Sequence, residues 1–243
     1  MKELLSRCRA AVDRYGMIPD GASVAVGVSG GKDSLCVLLA LDELRRFYPN
    51  RFVLTALTAD PCFGGKETDY SAITEWCGQR GIPHIIRRTR LWEIVFTERR
   101  ESNPCSLCAR MRRGILHNMA KEAGCGIVAL GHHADDAAET VMMNLLCGGR
   151  FAGLPAKSWL DRKELHVIRP LIFCSEALCE RTARRMTLPV VKSGCPVDGD
   201  TERSRVRGLI EQLEDSYPDL RAKLAHAAQA AEDRQPPTVN PNQ

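Results

Sequence analysis

Residues 22–34, ASVAVGVSGGKDS, pass from an apolar, β-rich run to a pair of glycines and then to charge. A run apolar at nearly every position is the pattern of a strand buried on both faces of a parallel sheet. The following stretch, DSLCVLLALDELRRFY, has helical periodicity. Gly30 and Gly31 let the chain turn tightly between strand and helix, so successive backbone N–H groups can face an anion. The helix N-terminus adds a favourable dipole. Lys32 adds a point charge, and Ser29 and Ser34 add hydroxyl donors. The spacing is neither the Gly-x-x-x-x-Gly-Lys of the common triphosphatase loop nor the Gly-x-Gly-x-x-Gly of dinucleotide binders.

Four more strands are expected, at FVLTALTAD (52–60), PHIIRR (83–88), GIVALGHH (126–133) and HVIRPL (166–171). Helices are expected over 3–15, 67–81, 104 to about 123, 135–146, 175–186, and around 202–215 and 218–232. Asn103 suits an N-cap and Pro104 the first helical position. Alternation of this kind implies an α/β fold: an open, parallel, five-stranded sheet with helices on both faces, then C-terminal helices. The division expected is an N-terminal helix (1–20), a core domain (21–190), a cysteine-bearing loop with C-terminal helices (191–232), and a disordered Pro/Asn-rich tail (233–243). Ligands of such sheets bind at the carboxyl ends of the strands. SGGKDS and GHHADD both lie there, so they point to one site.

Hydrophobic residues make up 44% and charged residues 26%, ordinary for a soluble globular chain. No apolar run approaches a membrane span. The N-terminus reads as an amphipathic helix and not as a signal peptide, which makes a cytoplasmic location the default. Net charge is only +4, but arginines cluster at 87, 88 and 90; 99 and 100; 110, 112 and 113; 181, 184 and 185; and 203, 205 and 207. Single clusters are ordinarily solvated helix faces. Five of them favour an anionic partner, with nucleic acid foremost.

Eleven cysteines is a high count. Cys36, Cys125, Cys147, Cys174 and Cys179 lie in apolar or helical contexts and read as buried small apolar residues. Cys105, Cys108 and Cys195 instead sit beside turn-forming residues. Cys105 and Cys108, i and i+3 at a helix start, share one face. The helix terminus with Arg110 and Arg112 favours thiolates there. A thioredoxin-type pair fits poorly, because that motif follows the first strand of a small fold. A structural zinc lacks its second ligand pair, and His117 reads as a surface or packing residue. Cys195 would supply a third thiolate. Three protein ligands on a four-iron cluster leave one iron open, which suits catalysis more than a closed structural site.

In GHHADD, Asp135 and Asp136 read as magnesium ligands or a proton acceptor, with helix capping by Asp135 as the plainer alternative. Gly131 allows close backbone approach. His132 and His133 are nucleotide contacts or packed side chains.

SGGKDS resembles the pyrophosphate loop of the N-type ATP pyrophosphatases, a HUP-type, adenine-nucleotide alpha-hydrolase-like fold. In that family ATP is cut between its α and β phosphates and an adenylate forms on the substrate. The resemblance makes Asp33 a magnesium or lysine partner. GMIPDGASVAVGVSGGKDS, NPCSLCARMRRGIL, GHHADDAAET, VIRPL and CPVDGD occur together, and in this order resemble the tRNA 2-thiocytidine synthetases over about residues 11–217. That resemblance implies a 4Fe–4S cluster on Cys105, Cys108 and Cys195, magnesium-dependent use of ATP, a tRNA cytidine as sulfur acceptor, a cysteine desulfurase as sulfur donor, and a homodimer. It makes Asp60 and Arg112 candidate catalytic residues, and Arg112 reads equally as a phosphate-facing surface arginine. Arg110, Arg113, Arg203, Arg205 and Arg207 are the candidate RNA contacts. Ser193 stands near a place where family members often carry a further cysteine. The alternatives still open are a thiolase for another base or small molecule, a zinc or redox ATP pyrophosphatase, and a non-catalytic nucleotide-binding protein.

Overall fold

The computed structural model describes residues 1–99, 104–192, 194, 195 and 201–233. Arg100, Asn103 as a cap, Ser193 and the tail beyond 233 lie outside the described residues.

The apolar run of the opening stretch is strand β1 (Ala22–Gly27), with Val24, Ala25 and Val26 buried. It pairs in parallel with β2 (Phe52–Asp60) on one side and β4 (Ile127–Ala129) on the other. Beyond β2 lies β3 (His84–Arg88), and beyond β4 lies β6 (Leu165–Ile168), both parallel. A sixth strand, β5 (Lys157–Leu160), pairs antiparallel with β6 and gives the order β3-β2-β1-β4-β6-β5. The sheet therefore has six strands where five were expected. The extra one is a four-residue edge strand, half-buried throughout. It has neither the continuous apolar run nor the clean alternation that marks a strand in a sequence.

Helices cover both faces. On one, α1 (Lys2–Arg14), α2 (Lys32–Leu44) and α6 (Glu176–Arg185) share a core that includes Leu4, Leu35, Leu38, Leu171 and Cys179. Helix α2 lies deepest: Leu35, Leu38, Leu41 and Leu44 are fully buried, each stabilising the fold by about 2 kcal/mol. On the other face α4 (Pro104–Glu122) places Leu116, Met119 and Ala120 against Leu57, Val128 and Val167. Helix α3 (Ser71–Gly78) starts later than its pattern suggests. Thr68 donates from its N–H to Asp60 Oδ2 (2.9 Å) and from its hydroxyl to Asp60 Oδ1 (3.1 Å), which holds the preceding segment out of the helix. Helix α5 (Ala134–Gly148) follows β4, and α7 (Glu202–Glu214) and α8 (Leu220–Asp233) close the described chain.

From β1 the chain winds outward through β2 and β3, then returns to the other side of β1 as β4. That reversal opens a crevice at the carboxyl ends of β1 and β4, where α/β sheets bind ligands.

Candidate active site

The β1–α2 turn forms a cradle. Gly30 has φ +93°, and a Cβ on it would meet the Val191 side chain at 3.2 Å and the Tyr70 ring at 3.4 Å. Ser34 Oγ ties the turn shut, accepting from Ser29 N–H (3.2 Å) and donating to the Gly31 carbonyl (2.8 Å). Gly31 N–H donates to Ser29 Oγ (3.3 Å). Lys32 Nζ donates to Asp33 Oδ2 (3.0 Å) and Glu176 Oε1 (2.8 Å). Burial works against its ammonium, but Glu176 and Asp33 outweigh that and raise its pKa. Burial raises the Asp33 carboxyl, partly offset by His133 and Lys32. Asp33 Oδ1 is buried and has no hydrogen-bond partner.

The β4–α5 turn crosses directly above. Gly131 touches the start of α2 so closely that a Cβ would sit 2.7 Å from the Asp33 carbonyl and 2.8 Å from Ser34 N. Backbone atoms cannot swing aside as a side chain can. Gly131→Ala should therefore push the cradle out of shape, costing about 1–3 kcal/mol of stability and slowing ATP-dependent pyrophosphate release about 10–100-fold. A pyrophosphate assay beside a thermal melt checks both.

His133, and not Asp135, caps α5: its ring Nδ1 accepts from Asp136 N–H (3.4 Å), and Asp136 Oδ2 accepts from His133 N–H (2.9 Å). Asp136 lines the cavity beside the cradle. Burial opposes its ionisation, but His133, His132 and Arg203 outweigh that and hold its carboxyl below the usual range. Asp135 turns the other way. Its Oδ2 accepts from Glu176 N–H at the start of α6 (2.7 Å), and its Oδ1 faces Arg221 at 3.5 Å. It lines a separate hollow of about 360 Å³ with Phe173, Arg221 and His226. His132 lines the first cavity; burial and nearby Arg169 push its pKa down to about 4, so its ring is neutral at pH 7. Its Nδ1 is buried without a partner.

Ser29, Asp33, Ala109, Arg112, His132 and Arg203 are among the residues around that cavity, whose volume is about 500 Å³. One wall is thus the phosphate cradle and the other is the cysteine-bearing helix α4. Arg112 and Arg113 line it and Arg110 is exposed nearby; among the described residues none of the three has a carboxylate partner.

Cys8, Cys36, Cys62, Cys77, Cys108, Cys125, Cys147, Cys174 and Cys179 are free thiols. Cys108 is buried, and Cys105 and Cys195 are half-buried. Burial raises the Cys108 thiol, Arg112 lowers it, and Cys195 and Cys105 raise it further. Cys105 and Cys195 thus both lie within electrostatic reach of Cys108. No three His, Cys, Asp or Glu side chains among the described residues are gathered as ligands of a single ion. A four-iron cluster is wider than one ion, and two thiols on α4 with a third near Cys108 fit it by the chemistry of the donor set. For magnesium the fitting groups are Asp33, whose Oδ1 makes no hydrogen bond among the described residues, and Asp136, which lines the same cavity. Val191 N–H donates to the Gly30 carbonyl (3.0 Å), so the segment leading to Cys195 is strapped to the phosphate cradle. Cys147, expected to be buried, is exposed in the last turn of α5, past the stretch that packs.

Other expected residues are placed differently. Asp60 is fully buried and holds four donors: Cys62 N–H, both Thr68 groups, and Arg88 Nη1 at 2.7 Å. Its oxygens are saturated, and it shapes the loop after β2. Arg203 pairs with Asp136 (3.3 Å) and Glu139 (3.0 Å), and Arg207 with Glu139 (2.7 Å) and Glu176 (3.5 Å). Arg205 is exposed and reaches Glu202 at 3.4 Å. Arg203 and Arg207 thus join α7 to the site through carboxylates of α5 and α6. With Lys32–Glu176, Asp33–Lys32 and the His133 contacts to Asp136 (3.4 Å) and Asp33 (3.9 Å), they close a ring of charged and polar side chains. Glu139 and Glu176 were not foreseen. The available signal was spacing: Asp136 and Glu139 are i and i+3 on α5, and Arg203 and Arg207 are i and i+4 on α7.

A family profile described as a PP-loop domain matches residues 6–213. The tRNA-cytidine(32) 2-sulfurtransferase of Pelobacter propionicus is 38% identical over 231 residues, covering 92% of this chain and 85% of the relative. The same enzyme from Paracoccus denitrificans is 38% identical over 230 residues, covering 93% and 76%. Among solved structures, the U34-tRNA thiolase NcsA from Methanococcus maripaludis, with its 4Fe–4S cluster, superposes with a TM-score of 0.77 at 28% identity, covering 98% of this chain and 80% of that one. With a phosphate cradle and a thiol-bearing helix facing one cavity, and relatives matched over nearly its whole length, the chain belongs to the PP-loop family and, within it, to the tRNA-cytidine(32) 2-sulfurtransferases.

Proposed function

We propose that this enzyme uses ATP to activate the C2 oxygen of a tRNA cytidine and replaces that oxygen with sulfur. The observation that carries the reading is the shared cavity: the cradle for phosphates and the helix bearing Cys105 and Cys108 line the same space, and Arg112 and Arg113 line it with them.

The cradle N–H groups, Ser29, Ser34 and Lys32 hold the β and γ phosphates. The base oxygen attacks the α phosphorus, the bond to the β phosphate breaks, and pyrophosphate leaves. Lys32 and the fixed N–H groups stabilise the charge that develops on the departing oxygens. Lys32 must then exchange Glu176 for phosphate, and Arg207 is placed to take up the carboxylate it releases. Asp33 and Asp136 would hold magnesium, which supplies charge neutralisation at the phosphates. Cys105, Cys108 and Cys195 would hold a 4Fe–4S cluster, whose iron without a protein ligand supplies a place to bind sulfide. Sulfur adds at C2, the C2–O bond breaks, and AMP leaves. Neutral His132 hydrogen-bonds the nucleotide or base without adding charge.

RNA docks through Arg110, Arg112 and Arg113, with exposed Arg205 on α7. A cysteine desulfurase supplies the sulfur in the cytoplasm as a persulfide, which a dithiol reductant brings to the sulfide level with oxidation of the dithiol to a disulfide. The chain works as a homodimer, a reading supported by exposed Leu145, Leu146 and Phe151 at the end of α5. No helix among the described residues is long and apolar enough to cross a membrane.

The two neighbouring aspartates separate the roles. Asp136→Asn is expected to raise the magnesium concentration for half-maximal pyrophosphate release about 10-fold or more. Asp135→Asn leaves that requirement unchanged and lowers the thermal midpoint, because it loosens α6 and α8. A magnesium titration in which Asp135→Asn carries the larger shift would assign the metal to the other carboxylate.

A further inference from the structure

We propose that Phe63, Trp92 and Phe96 form a stacking platform for the pyrimidine that receives sulfur. The proposal rests on the function above and adds to it where the base lies.

The chain is poor in aromatic residues, at 5%, yet three rings meet here. Trp92 and Phe96 stack with centroids 4.6 Å apart and planes 23° from parallel, and Phe63 meets Trp92 edge-on at 6.2 Å. They come from two separate segments: the loop after β2, and a π-helical turn at Glu93–Glu98 with the residue before it. Trp92 N–H donates to the Pro61 carbonyl (3.1 Å), which joins the two. Turns of this rare kind recur at functional sites.

The rings stand between the cysteine segments. A Cβ on Gly194, the residue before Cys195, would lie 3.6 Å from Phe63 Cβ. Phe96 packs against the small core formed by Val95, Leu107 and Cys108. The wall therefore runs from the neighbour of one thiol to the packing shell of another. Phe63, Trp92 and Phe96 are only half-buried, whereas core rings such as Tyr70 and Phe52 are buried.

The charge nearby selects the occupant. Arg112 acts electrostatically on Cys108 and also on Tyr70, whose ring touches the phosphate cradle. Flat apolar surface near a guanidinium that, among the described residues, has no carboxylate partner matches a nucleotide: the base stacks and its phosphate meets guanidinium. A lipid or an apolar peptide would leave that cation unanswered.

The test uses the full chain, purified without oxygen. Trp76→Phe with Trp159→Phe leaves Trp92 as the one tryptophan. Its emission is followed on titration with an RNA anticodon stem-loop carrying either a cytidine or an abasic site at the target position. The cytidine loop should quench Trp92 and the abasic loop should not. Trp92→Ala should weaken binding of the cytidine loop about tenfold and Trp92→Phe about threefold or less, with affinity for the abasic loop unchanged in both. Equal quenching by the two RNAs overturns the proposal. So does a Trp92→Ala protein that binds both loops normally but loses its iron, since the rings would then only wall off the metal. The quenching comparison keeps the ring in place, so it decides even if Trp92→Ala fails to fold. Failure of the native protein to bind either RNA would overturn the function above and this platform with it, and is seen before any variant is made.

Discussion

Cys108→Ala and Cys195→Ala should each give a folded protein that lacks iron and transfers no sulfur. Native protein purified without oxygen should hold about four iron and four acid-labile sulfide per chain. Cys108 is the informative position because it is the most enclosed of the three thiols and feels the other two. Removing it leaves two thiolates, one on a helix start and one on a loop strapped to the cradle, too few to retain the cluster. The cradle itself is untouched, so ATP binding should persist. Exposed Cys147, whose thiol faces Glu202 at 3.7 Å, is the control: Cys147→Ser should keep full iron. A Cys108→Ala protein with undiminished iron would mean a different ligand set, and zinc in place of iron would point to a structural metal.

Glu139→Ala should cause the largest loss of stability. Glu139 is fully buried and receives both Arg203 (3.0 Å) and Arg207 (2.7 Å). Breaking a buried pair by removing one partner typically costs 3–5 kcal/mol because charge is left uncompensated. The two guanidiniums are more than a third exposed, at 39% and 38%, so water screens part of that loss. About 3 kcal/mol is the expected cost, or a thermal midpoint lower by about 6–12 °C for a chain of this size. Glu139 also fixes the helix that follows the Cys195 segment, so iron retention should fall with it. A midpoint within a degree or two of native would show that α7 is held by other contacts. The same charge ring gives stability a pH dependence. Asp136 and Glu176 both have carboxyls held below their ordinary values of 3.8 and 4.5, despite burial, by His133 and Lys32 respectively with other cations. Their contribution is complete above those values and is lost as the pH falls through the lower, folded ones.

The parts legible in the sequence were those set by local pattern. β1, its glycine turn and α2 follow from an apolar run, two glycines and a helical period, and four further strands carry similarly continuous apolar cores. The edge strand β5 does not, because a strand exposed to water on one side needs no apolar run. Within the site, Ser29–Ser34, Gly131 and His132 lie where their motifs suggest. Asp60, Asp135, Arg203 and Arg207 are held by partners that their motifs do not reveal, and for one reason. The roles of a carboxylate or guanidinium depend on which opposite charge the fold brings to it, and Thr68, Arg88, Arg221 and Glu139 arrive from elsewhere in the chain. The capping of α5 by His133 shows the same limit locally: Asp135 is an equally good cap by type, but its carboxylate is drawn to the start of α6. The aromatic wall was hidden because its rings are unremarkable singly and become a surface only when two loops meet.

The most direct test is the product itself. Anaerobically reconstituted protein, given ATP, magnesium, a sulfide source and unmodified tRNA, should convert a single anticodon-loop cytidine to 2-thiocytidine, read by mass spectrometry of digested RNA. Formation should require ATP and be accompanied by AMP and pyrophosphate in equal amounts. Pyrophosphate release with no thiolated cytidine, from protein shown to carry its full iron and to bind the RNA, would contradict sulfur transfer to tRNA.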